Sequence, residues 1–279
     1  MCRLAAFPPM YPAESAELLL RYLERGNKDG VGIGYLKDRE YYTARAHWAL
    51  SDVTNASEAF FGHMPSPSWT IAHVRLATHG EPAKRNTHPF TFKRFAVVHN
   101  GVFSEHALMR KMLKGKAALK GETDSEVAGY LLDEWGPKEF YESVSYSGVF
   151  LGLHRKGGLW AVNTGGDLKT LQTKYGTVVA SDFPFVCPDK RLSKGIYYFS
   201  KDGFKTREIT KENMITSGPS YSGNNRYRGG RESEHYKGTP LCTTGKDAFE
   251  GKDYVRDKPL HEMSDDEYQA YMENELYGL

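Results

Sequence analysis

Short apolar runs bounded by polar or turn-forming residues dominate the first two hundred positions of the chain, a pattern typical of β-strands. Two segments, residues 13–25 and 124–135, instead space their apolar residues at helical intervals, and Gly26 is a typical stop for the first. We predict strands at residues 2–7, 31–36, 41–48, 69–76, 94–99, 148–154, 159–163, 178–180 and 196–199.

The order of these elements indicates the fold class. Strands come in clusters and helices stand apart from them, without the strict alternation that produces a parallel, doubly wound sheet. The order therefore favours an α+β fold in which antiparallel sheets stack face to face and helices lie outside. The pair Asn100–Gly101 is expected to form a turn at the end of strand 94–99.

A change of composition near residue 215 predicts the domain organisation. Residues 2–215 contain all the strands and helices predicted above, whereas residues 216–259 contain only two Leu, Ile or Val side chains and are rich in Gly, Ser, Asn and Tyr. We expect 216–259 to be a flexible linker, because it has too little apolar area to offset its chain entropy. Residues 260–279 are predicted to form a short acidic helical tail, with capping-box spacing between Ser264 and Glu267.

Composition narrows the class of protein further. The net charge of +2 gives no reason to expect a nucleic-acid or membrane surface. Three cysteines without a CxxC pair argue against a disulfide framework and against a zinc site, as in a protein from a reducing compartment. No apolar run approaches a membrane span and the first residues lack a signal-peptide pattern, so a cytoplasmic protein is expected. We expect no metal, since none of the histidines 73, 79, 88 and 99 has i, i+4 spacing within a helix, and no cofactor.

Cysteine at position 2 is the first residue with a candidate chemical role. It is small enough to permit removal of Met1, after which it would carry both a thiol and a free α-amine. An α-amine has an ordinary pKa of ~8, near neutral pH, so it can take the proton of its own thiol. Taken alone, the position is explained more simply by a small buried residue that begins a strand.

Three further segments place polar groups beside the predicted strands and helices. Residues 73–80 set Arg75 at the end of an apolar strand, residues 98–101 combine an amide with a glycine, and residues 122–126 precede a helix. Each segment also has an ordinary structural explanation. The first would form a surface ion pair, the second a turn, and the third a helix N-cap.

In this order and at these separations, the segments resemble the class II glutamine amidotransferases, including the glutaminase domain of glucosamine-6-phosphate synthase. The resemblance implies a four-layer αββα sandwich of the N-terminal-nucleophile hydrolase type, with two antiparallel sheets between outer helices. Two departures stand out: the first strand lacks a glycine next to the cysteine, and Leu76 stands where the synthases often have Trp. Arg3 is closer to the small stand-alone members of the family. The matching positions are Cys2 and residues 27–33, 73–80, 88–89, 99–101, 123–126, 147–150 and 180–182.

The resemblance implies a catalytic role for three residues. Cys2 would be the nucleophile that forms a γ-glutamyl thioester and expels ammonia, with its own α-amine as the base. The side chain of Asn100 and the N–H of Gly101 would form the oxyanion hole.

The resemblance also implies a pocket that binds a free amino acid through both of its charged groups. Arg75 would hold the α-carboxylate of glutamine, and Asp124 would pair with its α-ammonium group. Thr78 and His79 would line the same pocket. Because the pocket would bind both charged groups, it would select free glutamine over glutamine within a peptide.

Three functions remain open at this point. The chain could be an amidotransferase subunit that supplies ammonia to a synthase on another chain. It could instead be a hydrolase of small γ-glutamyl conjugates, as are some small relatives. A catalytically idle binding module is disfavoured because Cys2, Arg75, Asn100, Gly101 and Asp124 are all present.

Overall fold

The computed structural model describes residues 2–52, 56–62, 64–78, 80–115, 117–144, 146–184 and 187–209. The predicted linker 216–259 and the acidic tail 260–279 lie outside these residues, so the proposed domain boundaries stay predictions. Among the described residues, no helix is long and apolar enough to cross a membrane.

The described residues contain thirteen strands and five α-helices. The strands are β1 Arg3–Phe7, β2 Val31–Lys37, β3 Glu40–Ala46, β4 Thr70–Val74, β5 Phe90–Thr91, β6 Phe95–Val102, β7 Ser147–His154, β8 Leu159–Asn163, β9 Lys169–Thr173, β10 Gly176–Ala180, β11 Lys190–Arg191, β12 Gly195–Phe199 and β13 Thr206–Ile209. The helices are α1 Ala13–Leu23, α2 Ala56–Phe61, α3 His106–Met112, α4 Asp124–Trp135 and α5 Pro137–Ser143.

Two antiparallel sheets organise the strands. The first sheet has the order β11-β9-β10-β1-β4-β2-β3, so β1 and β4 lie side by side near its centre. The second sheet has the order β13-β12-β8-β7-β6-β5. Because strands that are distant in sequence become neighbours, residues from opposite parts of the chain meet at the strand ends.

Alternation along each strand assigns its two faces to different apolar layers. In β1, Ala5 and Phe7 belong to the core beneath α1 and α2, whereas Leu4 and Ala6 belong to the core between the sheets. A third core lies between the second sheet and helices α4 and α5. These cores separate four layers, so the predicted αββα sandwich of two antiparallel sheets is confirmed.

The long periodic segments are predicted closely, and the short ones are missed. Helix α4 spans residues 124–135 as expected, and its residues Val127, Leu131 and Leu132 face the core. Helices α2, α3 and α5 and strands β9 and β13 were not predicted. Each has seven residues or fewer, and α3 contains no buried residue, so these segments carry little hydrophobic periodicity.

One expectation from the sequence is wrong. Asn100 and Gly101 do not form a turn but lie within β6, which pairs with β7 through Val102. Gly101 lies opposite Gly148, and a Cβ on Gly101 would come within 2.7 Å of the Gly148 Cα, so the glycine permits close strand approach.

Candidate active site

Cys2 directly precedes β1 and lies beside the end of β4. The pairing of Arg3 with Val74 brings Cys2 next to the segment that carries Arg75 and Leu76. The Cys2 Sγ lies 3.3 Å from the carbonyl oxygen of Leu76 and 3.4 Å from its N–H. Because both contacts are with the main chain, they do not depend on the side chain at position 76, where the sequence departs from the synthases.

Burial raises the pKa of the Cys2 thiol above its ordinary value. The hydrogen bond with Leu76, the chain N-terminus and Arg75 act in the opposite direction, and the charge of Asp124 adds to the rise. The thiol is therefore protonated at neutral pH, and a nearby base must take its proton before it can attack a carbonyl carbon. Arg75 and Asp124 are thus close enough to the sulfur for their charges to act on the thiol.

Arg75 is nearly buried, and its guanidinium group is oriented by main-chain carbonyls. Its Nη2 donates to Gly80 at 2.9 Å and its Nη1 donates to Glu81 at 3.1 Å. Burial lowers the pKa of Arg75, whereas the charges of Cys2, Asp29 and Asp124 raise it. The site thus holds a cation close enough to Asp29 and Asp124 for both carboxylates to act on it.

Asp29 supports this arrangement and was not identified as a site residue from the sequence. Its Oδ2 accepts a hydrogen bond from the N–H of Ala77 at 2.7 Å, and its own N–H donates to the carbonyl of Arg75 at 3.0 Å. Asp29 therefore fixes the main chain on both sides of Leu76. Its only signal in the sequence is its place within the matching segment 27–33.

Asp124 is the first residue of α4 and is 4% exposed. The hydroxyl of Thr123 caps this helix by accepting a hydrogen bond from the N–H of Glu126. The Asp124 carboxylate accepts from the N–H of Phe103 at 2.9 Å and from the Ser125 hydroxyl at 3.3 Å. The bond to Phe103 ties the carboxylate to the chain just beyond Asn100 and Gly101.

Asn100 and Gly101 lie at the end of β6 that faces the end of β4. The ring Nε2 of His73, in β4, lies 3.0 Å from the carbonyl oxygen of His99 and links the two sheets at this point. Asn100 is only 6% exposed, and within the described part of the chain its side-chain amide makes no hydrogen bond. A nearly buried amide of this kind is available to a ligand.

The structure brings five of the seven predicted site residues together. Cys2, Arg75 and Asp124 are linked by their electrostatic influence on one another, and Asn100 and Gly101 are linked to them through His99 and Phe103. Thr78 is exposed, and its side chain makes no hydrogen bond with another described residue. His79 lies outside the described residues, so its predicted role is neither supported nor contradicted.

A cluster of buried histidines lies behind the candidate site. The rings of His73 and His88 are 4.0 Å apart, and the ring of His99 stacks on Phe150 at 4.1 Å. Burial lowers the pKa of His73 to about 3 and that of His99 to about 4, and it lowers the pKa of His88 well below its ordinary value. Among the described residues, no group of three or more His, Cys, Asp or Glu is placed to hold a metal ion.

Comparison with solved structures identifies the fold. The chain superposes on glutamine phosphoribosylpyrophosphate amidotransferase from B. subtilis with a TM-score of 0.60 and 16% identity, covering 75% of this chain and 49% of that one. It also superposes on a glutamine aminotransferase class-II domain protein from Silicibacter pomeroyi with a TM-score of 0.51 and 18% identity, covering 74% of this chain and 99% of that one. The fold is that of the N-terminal-nucleophile hydrolases.

Sequence comparison identifies the family. Residues 1–150 match the family model described as glutamine amidotransferases class-II. The chain belongs to this family of enzymes.

The curated relatives are longer proteins named glutamine–fructose-6-phosphate aminotransferase (isomerizing). The relative from Haemophilus influenzae is 47% identical over 125 residues, covering 43% of this chain and 20% of the relative. The relative from Helicobacter pylori is 30% identical over 221 residues, covering 75% of this chain and 31% of the relative. The chain therefore spans about a fifth to a third of the length of these relatives.

Proposed function

We propose that Cys2, after removal of Met1, is the nucleophile that hydrolyses the side-chain amide of glutamine. The observation that carries this proposal is that one thiol lies within electrostatic reach of both a buried cation, Arg75, and a buried anion, Asp124. A free α-amino acid carries the complementary pair of charges, so its side chain can be held over the sulfur.

The α-amine of Cys2 supplies the base that the buried thiol requires. It takes the thiol proton as the Sγ attacks the amide carbon, and it returns a proton to the nitrogen that leaves. The C–N bond then breaks, ammonia departs and a γ-glutamyl thioester remains on Cys2. Water next attacks the thioester, the S–C bond breaks and glutamate is released with the thiol restored.

Asn100 and Gly101 stabilise the charge that develops on the amide oxygen. The side-chain amide of Asn100 and the backbone N–H of Gly101 are donors of the kind that oxyanion holes use. The glycine at position 101 is required by the close approach of Gly148 and of the His99 ring, since a Cβ would come within 2.8 Å of the His99 Nε2.

Substrate selection depends on Arg75 and Asp124, with Thr78 and His79 as further pocket residues. The planar guanidinium group of Arg75 can bind a carboxylate through two parallel hydrogen bonds. Asp124 accepts a hydrogen bond from the α-ammonium group. A peptide-linked glutamine lacks both charges and is therefore excluded.

The ammonia released by this site is proposed to serve a synthase on a separate chain. The relatives named as aminotransferases join a matching segment to a much longer protein. We infer that the present chain corresponds to the amide-hydrolysing part of such a longer protein. The cytoplasmic location stays a prediction, and fractionation of cells that express the chain would test it.

Intact-mass analysis after treatment with a glutamine-mimicking diazo-ketone tests the assignment of the nucleophile. We expect a chain that lacks Met1 and carries one adduct, located on Cys2 by peptide mass, and we expect added glutamine to slow the labelling. An unlabelled Cys2 in a folded chain would overturn the proposal. Protection by small γ-glutamyl conjugates but not by glutamine would instead favour the γ-glutamyl amide hydrolase.

A further inference from the structure

A fully buried side-chain amide, that of Asn86, joins the segment after Arg75 to the segment before Asp124. Its Oδ1 accepts a hydrogen bond from the N–H of Glu122 at 2.8 Å. Its Nδ2 donates to the carbonyl of Glu81 at 3.1 Å and to the Glu122 carboxylate at 3.3 Å. One side chain therefore holds both segments at once.

Two glycines fit closely around this amide. Gly80 has a φ of +70°, and a Cβ there would lie 2.9 Å from the Asn86 Nδ2. A Cβ at Gly121 would lie 2.9 Å from the Asn86 Oδ1. The narrow space between Gly80 and Gly121, called the slot below, accepts a planar amide and leaves no room for a side chain at either glycine. The distance between the two segments is therefore fixed.

On one side of the slot, the amide is connected to Arg75. The carbonyl of Glu81 accepts hydrogen bonds from both Asn86 Nδ2 and Arg75 Nη1, and the neighbouring carbonyl of Gly80 accepts from Arg75 Nη2. The same two carbonyls orient the guanidinium group. A displacement of residues 80–81 would therefore turn the guanidinium plane.

On the other side, the amide is connected to a rigid approach to α4. Glu126 accepts hydrogen bonds from the N–H groups of Lys120 and Gly121 at 2.7 and 2.8 Å. Arg110 donates to the carbonyls of Gly121 and Thr123 at 2.9 Å each. Residues 120–123 are thus anchored, and Asp124 follows them directly at the start of the helix.

We propose that Asn86 is a positioning residue that sets the spacing between Arg75 and Asp124 and thereby the selectivity for an α-amino acid zwitterion. This inference rests on the proposed roles of those two residues. The ion pairs of Arg85 with Glu81 and Glu122 connect the same segments, but they are exposed and so contribute little. The buried amide is the contact that determines the spacing.

The test compares two electrophiles that react with the same sulfur. A glutamine-mimicking diazo-ketone needs the carboxylate and ammonium contacts, whereas iodoacetamide needs only an accessible thiol. In Asn86→Ala and in Asn86→Asp, we expect the rate of Cys2 labelling by the diazo-ketone to fall about tenfold. The rate with iodoacetamide should stay within about twofold of the wild-type rate, measured on the Cys2 peptide by mass.

Asn86→Asp keeps the size of the side chain and its acceptor for the Glu122 N–H but removes the donor to the Glu81 carbonyl, and circular dichroism of both variants checks the fold. Asp133→Ala is the matched control. The Asp133 carboxylate is also buried and accepts hydrogen bonds from the N–H groups of Arg94 and Phe95, at the far ends of α4 and β6. Asp133→Ala should destabilise the same elements. The ratio of the diazo-ketone labelling rate to the iodoacetamide labelling rate should nevertheless not change.

Three outcomes would overturn the inference: equal losses with both electrophiles, no loss with either, or the same selective loss in Asp133→Ala. Arg75→Lys and Asp124→Asn show which proposal has failed. If these two variants leave the labelling ratio unchanged, the proposed substrate-binding roles are wrong. If they lower the ratio and the Asn86 variants do not, only the positioning role is wrong.

Discussion

Among single residues, Cys2 combines a raised pKa with a position at which removal of Met1 would expose its own α-amine as a base. A buried thiol is a poor nucleophile while it remains protonated. Among the described residues, no histidine forms a hydrogen bond with the Cys2 sulfur and could act as its base. The α-amine that Met1 removal would expose is separated from the sulfur by only three covalent bonds. Processing of the N-terminus is therefore expected to create the active form.

Cys2→Ala and a chain that retains Met1 should both lack glutaminase activity. The first removes the nucleophile and the second locks its base in a peptide bond, while neither change disturbs a buried apolar side chain. Ammonia release from glutamine measures the activity, and circular dichroism checks the fold. Substantial turnover by either form would exclude the N-terminal-nucleophile mechanism.

Asn100→Ala should lower kcat by roughly 10²–10³-fold, the usual effect of losing one donor of an oxyanion hole. The KM for glutamine should change much less, because the donor acts mainly on charge that appears in the transition state. Steady-state kinetics measure both constants. A rise in KM with an unchanged kcat would mean that Asn100 binds the ground state of the substrate.

Arg75→Lys should instead raise the KM for glutamine by roughly tenfold, the effect of losing one charge-assisted hydrogen bond. Lysine keeps the charge but cannot reproduce the planar pair of donors that a carboxylate requires. Steady-state kinetics with glutamine measure the change. A loss in kcat alone would show that Arg75 acts on the reacting amide and not on the α-carboxylate.

At the scale of elements, the buried histidines connect β4, β6 and the segment before β5. His73 in β4 is bonded to the carbonyl of His99 in β6, and the His73 ring lies against that of His88. All three rings are buried, and at least one nitrogen in each has no hydrogen bond among the described residues. These groups must therefore be neutral in the folded chain.

The buried histidines should make the free energy of unfolding fall as pH decreases below about 6.5. The pKa of His73 drops from an ordinary value of 6.5 to about 3 and that of His99 to about 4. The unfolded chain therefore binds more protons than the folded chain between these values, and protonation stabilises the unfolded chain. Above pH 6.5 the contribution to stability is fully present.

His88→Phe should reduce the steepness of this dependence by about one proton, or ~1.4 kcal/mol per pH unit. The variant removes one ring that is neutral when folded and protonated when unfolded. Urea unfolding at several pH values between 4 and 7 measures the slope. His47→Phe is the control, because His47 is exposed. Equal changes in the two variants would show that the buried cluster is not the source.

At the scale of the whole molecule, the sandwich places the end of one sheet against the end of the other. β1 and β4 bring Cys2 and Arg75 together, β6 brings Asn100, and α4 brings Asp124. Each element contributes one or two groups, and only the stacked sheets bring them to one place. The candidate site is therefore built from residues within 2–209.

Truncation after Ile215 should leave glutaminase activity intact, since the predicted domain 2–215 contains every proposed site residue. If transfer of ammonia to a co-purified synthase is lost while hydrolysis survives, the segment from 216 onward is needed for docking. Survival of both activities would make that segment dispensable and the docking idea wrong. Loss of hydrolysis itself would place the domain boundary further along the chain.

The sequence by itself determined the long periodic elements, the family and the identity of the residues at the candidate site. Helix α4 has twelve residues with a clear apolar face, and strands such as β7 are long apolar runs, so local patterns were sufficient for them. The site residues were identified from a set of motifs that occur in the order typical of the family. They are Cys2, Arg75, Asn100, Gly101 and Asp124.

Only the tertiary structure decided what surrounds these residues. Strand conformation at Asn100–Gly101 depends on β7, because the partner Gly148 allows pairing to continue where local turn preferences favour a reversal. The roles of Asp29 and Asn86 arise from hydrogen bonds to main-chain groups, which any residue type provides. Such contacts leave no signal in residue identity, so they appear only when distant segments of the chain are brought together.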